Sequence, residues 1–438
     1  MIHEALEKIV AGENLTHGEV EAVIEEFRTG QASANQMRAL WTALTMKGMT
    51  KEEEAAFKSA RNQNAVETST SDTEEAITLD PGDLTIVTQM IVGQGDDLSR
   101  REAEAAMEEI LSGRADDASI VSFLTALRFK GETLDELVGF ATAMRRHATP
   151  IFPGHSRIAE EALVDTCGTG GDASGTFNVS TAAAFVVAGA GVRVAKHGNR
   201  SISSRCGSAD VLEQLGVRID LPPERVAGAI EEIGIGFLFA PAVHAATRHA
   251  MTARRELKMR TVFNLLGPLT NPAGASAQVV GVYDESYTEL LARALGELGV
   301  RRAFVVHGAD GLDEISISGE TSVAELRDGL VRSFTVTPED FGLHRALLEE
   351  IRGGDAKENA EIIHKIFGRS MLYRERGPHR EIVLANASAA LVAAGHAADF
   401  VEGVHLAKKS IDSGAAREKL DALVAFSQAD KGHSHTAS

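Results

Sequence analysis

Four stretches of the chain hold the residue types needed to bind a phosphorylated small molecule. The first is Asp165–Thr181, DTCGTGGDASGTFNVST. Gly168, Gly170 and Gly171 let backbone N–H groups approach a phosphate closely. Thr176, Ser180 and Thr181 carry hydroxyls that can donate to phosphate oxygens or ligate a metal. Ser180 and Thr181 open a predicted helix, whose N-terminus adds roughly half a positive charge. No Gly-Lys-Ser/Thr follows, so this is not a Walker A loop, and the spacing fails the dinucleotide G-x-G-x-x-G pattern.

The second stretch is Lys196–Ser208, KHGNRSISSRCGS. Three cations (Lys196, Arg200, Arg205) stand among serines and glycines just after a predicted strand. Such a basic, hydroxyl-rich segment is an anion site by composition. The third is Pro241–Arg260, PAVHAATRHAMTARRELKMR, expected as one helix on which His244, Arg248 and Arg255 could share a face, with His249 capping or solvated. An Arg aimed into a cleft suits a small carboxylate through bidentate pairing. The fourth follows His307, where Asp310, Asp313 and Glu314 lie among glycines. Adjacent carboxylates at a strand end suit Mg²⁺, which takes one or two carboxylates and then substrate phosphates. Glycine cradle, cationic loop, arginine and carboxylate pair together describe a pocket for a polyphosphate and a carboxylate-bearing molecule.

The elements that must position these groups alternate in type. Leu163–Cys167, Val192–Ala195, Ala277–Tyr283 and Ala303–His307 read as strands. Thr181–Ala190, Ala209–Leu215, Pro222–Ile233 and Ser286–Leu298 read as helices. That alternation argues for an α/β fold with a mostly parallel central sheet, and ligands of open α/β sheets bind beyond strand C-termini. Beyond Leu343 the chain is expected to be mainly helical.

The N-terminal part is helical and internally repeated. Leu15 matches Leu98, and the frame then holds without a gap: Glu19, Gly30, Thr42-Ala43-Leu44 and Lys47-Gly48 recur as Glu102, Gly113, Thr125-Ala126-Leu127 and Lys130-Gly131. Thr16 and Ser99 read as N-caps, with Gly30 and Gly113 at C-caps. Two copies are too few for a solenoid, so we read a duplicated helical module. The expected organisation is an extra module at 1–66, a Ser/Thr/Asp/Glu-rich flexible linker at 67–83, a small helical domain at 84–150, an α/β domain at 151–430, and a disordered polar tail at 431–438. Helices near 240–260 are expected to pack on the helical domain.

The formal charge of −19 disfavours nucleic-acid binding and polybasic membrane attachment. No apolar run reaches about 18 residues, and Met1–Ile9 does not resemble a signal peptide. Two cysteines, Cys167 and Cys206, are too few for a disulfide framework and fit a reducing, cytoplasmic setting. Cys167 is expected as a buried strand residue.

The runs GTGGD…TFNVST, KHGNRSISS.CGSADVLEQLG, FLFAP..H……R.ELKMRTVFNLLGPLTNPA and G.DEISISGET closely resemble those of anthranilate phosphoribosyltransferases of tryptophan biosynthesis. The resemblance spans Leu84 to the C-terminal helices; copy 1 has no counterpart in the ordinary family pattern. It implies a helical domain plus an α/β domain, a homodimer formed through the helical domain, and 5-phosphoribosyl diphosphate (PRPP) bound between the domains with Mg²⁺, two ions when PRPP is present. It assigns PRPP contacts to Gly168, Gly171, Asp172, Thr176, Asn178, Val179, Ser180, Thr181, Lys196, Asn199, Arg200, Ser203, Ser204 and Ser208. It assigns the metal to Ser180, Asp313 and Glu314, and anthranilate to Gly168, His197, Asn199, His244 and Arg254, with Arg254 as carboxylate partner. His197, Asn199 and Arg254 position the acceptor, and no covalent nucleophile is expected. The chain departs from the pattern at Ala173, at Cys206 and at Met251-Thr252-Ala253. Rival readings are a nucleoside phosphorylase, a phosphoribosyltransferase with another aromatic acceptor, or a non-catalytic nucleic-acid-binding relative.

Overall fold

The computed structural model of the chain describes residues 1–62, 83–153, 161–170, 174–201, 205–368 and 377–429. The expected linker, apart from Asp83, and the expected tail at 431–438 lie outside the described residues. Backbone contacts divide the chain into a helical unit, Met1–His147 with Ala246–Leu266, and an α/β unit, Ala148–Ala245 with Gly267–Ser438.

The helical unit begins with eight helices in two matching sets. Copy 1 holds α1 (Ile2–Val10), α2 (His17–Arg28), α3 (Ala34–Lys47) and α4 (Lys51–Asn62); copy 2 holds α5 (Leu84–Gln94), α6 (Arg100–Leu111), α7 (Asp117–Lys130) and α8 (Leu134–His147). The repeat is physical as well as textual. Thr16 caps α2 in a capping box with Glu19, and Ser99 caps α6 in the same way with Glu102. Each copy buries one ion pair: Lys47–Glu53 at 2.9 Å and Lys130–Glu136 at 3.0 Å. The carboxylates also take backbone donors, Glu53 from Leu15 and Thr50, Glu136 from Leu98 and Thr133. These extra bonds offset the desolvation that makes a lone buried pair unfavourable. Burial opposes ionisation of Glu53, but Lys47 and the two amides hold it below the usual carboxylate range. The later part of the unit holds a 3₁₀ turn (Ala245–Ala250) and two helices described below. His249 lies against Gly113, where an added Cβ would come within 2.8 Å of the imidazole.

The α/β unit is built on a seven-stranded sheet: β1 (Leu163–Gly168), β2 (Arg193–Gly198), β3 (Ile235–Phe239), β4 (Ala277–Gly281), β5 (Arg302–Gly308), β6 (Thr321–Arg327) and β7 (Leu330–Val336). Their order is β3-β2-β1-β4-β5-β6-β7. The first five run parallel, and β6 and β7 are antiparallel. β1, β3 and β4 are buried along nearly their whole length, as strands covered on both faces must be. After β1 the chain winds outward to β2 and β3, then returns to lay β4 and β5 on the other side. The C-terminal ends of β1 and β4 therefore flank a topological switch point.

α9 (Val179–Gly189) follows β1; α10 (Ser208–Gln214) and α11 (Pro223–Glu232) follow β2. α12 (Ala240–Val243), α13 (Met251–Leu257) and α14 (Val262–Leu269) precede β4, and α15 (Tyr287–Glu297) joins β4 to β5. The chain ends in α16 (Ala356–Ile366), α17 (Pro378–Ala393), α18 (Phe400–Ser413) and α19 (Ala415–Gln428). α9 is buried from Val179 to Ala188 apart from Ser180, and α17, α18 and α19 pack around it. A helix apolar on all sides needs such cover.

Three expectations are corrected. Pro241–Arg260 is not one helix: α12 stops at His244, whose φ of −121° and ψ of 51° are non-helical, and a 3₁₀ turn leads into α13. His244 belongs to the α/β unit and Arg248 and Arg255 to the helical unit, so the shared helix face does not exist. β2 runs on to Gly198, because β3 pairs with it through Lys196, His197 and Gly198, so Lys196 and His197 are strand residues. The β6–β7 hairpin and β3 were not anticipated.

Candidate active site

Loops at the C-terminal ends of β1, β2, β4 and β5 gather the chemistry-bearing residues of the α/β unit. Gly168 ends β1, and an added Cβ there would lie 2.8 Å from Asp313 Oδ2. Gly170 turns with φ of +67°, and its N–H donates to the same oxygen at 3.1 Å. Gly281 at the end of β4 has no room for a side chain, because the Asp313 backbone fills that space. The glycines therefore bring the β1 loop and the Asp313 segment together. Glu314 Oε1 accepts from the Ser180 N–H at 3.0 Å, which fixes the second carboxylate at the N-terminus of α9. Both carboxylates, Gly168, Gly170 and Ser180 thus form one cluster. Among the described residues no group of three or more His, Cys, Asp or Glu side chains could cage a metal alone. Two hard carboxylates beside a phosphate-type loop fit an ion that completes its shell with substrate oxygens and water.

Lys196 is buried beneath this cluster. Its ammonium donates to the Thr166 carbonyl and lies 3.4 Å from Ser180 Oγ. Burial pushes Lys196 below the usual lysine range and Asp165 above the usual carboxylate range, with their mutual attraction opposing both shifts. Thr166 Oγ1 donates to the Ser180 carbonyl at 3.0 Å, tying β1 to α9. Val179 is buried, and Thr181 Oγ1 is buried with no hydrogen-bond partner among the described residues. Cys167 is a buried strand residue, unpaired by any disulfide, and burial pushes its thiol up.

Asn178 joins three segments. Its amide donates to the Cys206 carbonyl at 3.2 Å and accepts from Asn359 on α16 at 3.0 Å. Cys206 Sγ donates to Asn178 Oδ1 at 3.3 Å, so the cysteine that departs from the family pattern keeps a hydroxyl-like contact. Thr176 pairs with Arg352 as an isolated bridge, and its hydroxyl lies 3.1 Å from Ser174 Oγ. Asn199 accepts from Ser208 Oγ and the Ala209 N–H through its carbonyl. Arg200 instead reaches α10, bonding Asp210 at 3.0 Å and Glu213 at 2.6 and 2.8 Å. Gly171, Asp172, Ala173, Ser203 and Ser204 lie outside the described residues.

Asp165 and Asn271 are site-supporting residues that the sequence reading missed. Asp165 is fully buried and accepts from the His197 N–H at 3.0 Å and from Asn271 Nδ2 at 2.8 Å. Asn271 also donates to the Ala195 carbonyl at 2.8 Å. The pair clamps β1 to the segment of β2 that carries Lys196 and His197. Asn271→Ala strips a donor from a buried carboxylate and should lower unfolding free energy by about 1–3 kcal/mol. Denaturant unfolding reads this directly, and an unchanged midpoint would contradict the clamp.

His197 and His244 are both buried, with ring centroids 5.1 Å apart. Burial pushes His197 down to about 3 and His244 to about 4, so both imidazoles are neutral at neutral pH. His197 Nδ1 lies 3.2 Å from the Gly267 carbonyl, which can only accept. The proton is therefore on Nδ1, and Nε2, which has no partner among the described residues, keeps its lone pair. The depressed value has a stability consequence. Below the unfolded-state value of about 6.5 the unfolded imidazole takes up a proton that the folded one refuses until pH falls near 3, so stability drops across that window. His197→Gln should flatten the loss of denaturant midpoint between about pH 7 and 5; the same slope in both proteins would contradict a buried neutral imidazole.

In the helical unit, Arg254 on α13 stands over the Phe263 ring at 5.0 Å. Burial alone pushes its guanidinium down to about 10. Among the described residues no carboxylate pairs with it. Arg254 is half-buried, and a cation partly withdrawn from water gains from a ligand that supplies an anion.

Comparison with known proteins follows the same division. A family model described as "Glycosyl transferase family, a/b domain" matches residues 160–417, and one described as "Glycosyl transferase family, helical bundle domain" matches residues 3–64 and again 90–148. The helical-bundle model thus matches twice in this chain, so copy 1 is a second copy of the family's helical bundle rather than an unrelated addition. A protein of Moorella thermoacetica named anthranilate phosphoribosyltransferase is 55% identical over 340 residues, 78% of this chain and 97% of that protein. The crystal structure of the anthranilate phosphoribosyltransferase of Thermus thermophilus superposes with a TM-score of 0.72 at 44% identity, covering 79% of this chain and 100% of that one. The Saccharomyces cerevisiae enzyme in complex with PRPP and Mg matches with a TM-score of 0.70 at 29% identity, covering 78% of this chain and 97% of that one. A further structure of the yeast enzyme holds 4-fluoroanthranilate.

Proposed function

The chain belongs to the anthranilate phosphoribosyltransferase family, and from that premise we propose how its own residues divide the work. The enzyme transfers the phosphoribosyl group of PRPP to the amine of anthranilate and releases pyrophosphate, a step of tryptophan biosynthesis. The observation that carries this reading is the cluster of Asp313 and Glu314 on the Gly168–Gly170 loop and the α9 N-terminus.

In this reading the β1 loop and α9 N-terminus hold the PRPP phosphates through backbone N–H groups and the hydroxyls of Thr176, Ser180 and Thr181, with Asn178 and Val179 beside them, and the resemblance adds Gly171 and Asp172 as PRPP contacts. Lys196, Asn199, Ser203, Ser204 and Ser208 serve the same substrate. Arg200 would join them by exchanging Asp210 and Glu213 for phosphate. Ser180, Asp313 and Glu314 would hold Mg²⁺, two ions with PRPP bound; the metal, when bound, neutralises charge growing on the departing pyrophosphate. The buried cation Lys196 adds a fixed positive charge to the same region.

The amine of anthranilate has a free lone pair and needs no strong base. Neutral His197 is suited to accept an amine hydrogen at Nε2, with His244 beside it, and Arg254 to receive the carboxylate as its missing anion. Gly168 and Asn199 line the acceptor side. Positioning the amine near the ribose C1 then supplies much of the rate. Two buried free cysteines suit a reducing cytoplasm. Among the described residues no helix is long and apolar enough to cross a membrane. The resemblance implies pairing through the helical domain, a requirement on which the duplicated module bears.

Pyrophosphate release from PRPP, followed with anthranilate and with other aromatic acceptors, tests the acceptor. Release with anthranilate alone supports the reading. Release with another acceptor only, or phosphorolysis of nucleosides, moves the protein to the rival class.

A further inference from the structure

We propose that the chain carries its own pairing partner: copy 1 stands where the helical module of a second chain would stand, so the helical unit is a closed two-module pair and the protein is a monomer. The first support is the count of modules. Both copies match the same helical-bundle family model, whereas the Moorella protein is covered over 97% of its length by 78% of this chain. About a fifth of the chain is thus surplus to a one-module architecture.

The second support is how the copies meet. The frame of the repeat equates α3 with α7, and it is α3 that packs on α7. Two copies of one module joined through the same helix use an isologous contact, the geometry of a two-fold dimer. Ala39 and Ala43 on α3 are fully buried, and their counterparts Ser122 and Ala126 on α7 are equally small. Small residues allow such close approach. Copy 1 is further pinned by the later segment of the same unit: Ser33 Oγ donates to Glu256 Oε2 and Gln36 Nε2 to the Glu256 carbonyl, each at 3.0 Å.

The third support is the way the copies have diverged. Leu111, Val121, Leu137 and Ala141 are buried in copy 2. Their counterparts in copy 1 are Arg28, Arg38, Glu54 and Lys58, all exposed. Leu124 is buried, while its counterpart Trp41 is 40% exposed and spreads over Phe57 at 4.9 Å. Copy 1 has therefore kept its apolar α3 face and its buried ion pair but made the face that copy 2 buries polar. The apolar α3 face that copy 1 has kept is the one that meets copy 2. The surface of α7 that meets α3 is thus occupied within the chain.

Light scattering on the full-length protein should give the mass of one chain, 46.5 kDa, unchanged across roughly a hundredfold dilution. A two-chain mass would overturn the proposal, whether the modules exchange between chains or pair elsewhere. A site for a sequence-specific protease, inserted between Asn62 and Asp83, gives the second reading. After cleavage of the folded protein, copy 1 should stay with the remainder in native gel filtration. Its release into a separate peak would show that copy 1 is not the partner of α7.

Discussion

Asp313→Asn combined with Glu314→Gln should abolish the response to Mg²⁺ and most of the turnover. The two carboxylates are the hard oxygen donors of the β1–α9 cluster, held by the Gly170 and Ser180 N–H groups. Amides in their place keep the shape and nearly all the volume but remove two negative charges. Metal stabilisation of a developing phosphate charge is worth several kcal/mol, and each 1.4 kcal/mol is about tenfold in rate. The expected loss is therefore about a hundredfold to ten-thousandfold in kcat. Steady-state turnover against Mg²⁺ concentration checks it. A double variant that keeps both its rate and its magnesium response would remove the metal role from this pair.

Arg254→Ala should damage the use of anthranilate far more than that of PRPP. The guanidinium is half-buried over Phe263, and no carboxylate pairs with it among the described residues. If it receives the substrate carboxylate, truncation costs about 2–5 kcal/mol in kcat/KM for anthranilate, or about 30-fold to several thousandfold. The KM for PRPP should move little. Arg254→Lys keeps the charge but loses the planar fork, so it should recover only part of the activity. Equal losses toward both substrates would contradict the assignment.

The glycine-rich and serine-rich runs were legible because each follows a strand and their residue types have few other uses. The alternation of strands and helices gave the parallel part of the sheet. Other features depended on signals that periodicity does not carry. The β6–β7 hairpin was marked by Asp328-Gly329, which turn with φ of 49° and 81° between alternating runs, and that dipeptide is a strong hairpin signal. Charge spacing along Pro241–Arg260 suggested one helix, yet the chain leaves the α/β unit between Ala245 and Ala246, a passage that amphipathic spacing does not encode. Arg200 looked like a phosphate ligand by composition, but Asp210 and Glu213 on α10 hold it in this state. The Asp165–Asn271 clamp joins residues 106 positions apart, and only the fold brings them together. The pattern of the repeat was visible in sequence, whereas the packing of α3 on α7 needed coordinates.

The carboxylate cluster at the β1 and β5 loops, with the neutral His197–His244 pair of the same unit, is proposed to carry phosphoribosyl transfer to anthranilate. Anthranilate is itself fluorescent, and its conversion can be followed directly. The protein mixed with anthranilate, PRPP and Mg²⁺ should extinguish that fluorescence, and EDTA should stop the decay. Steady fluorescence in the presence of bound PRPP and Mg²⁺ would contradict the account by showing that the acceptor is not anthranilate.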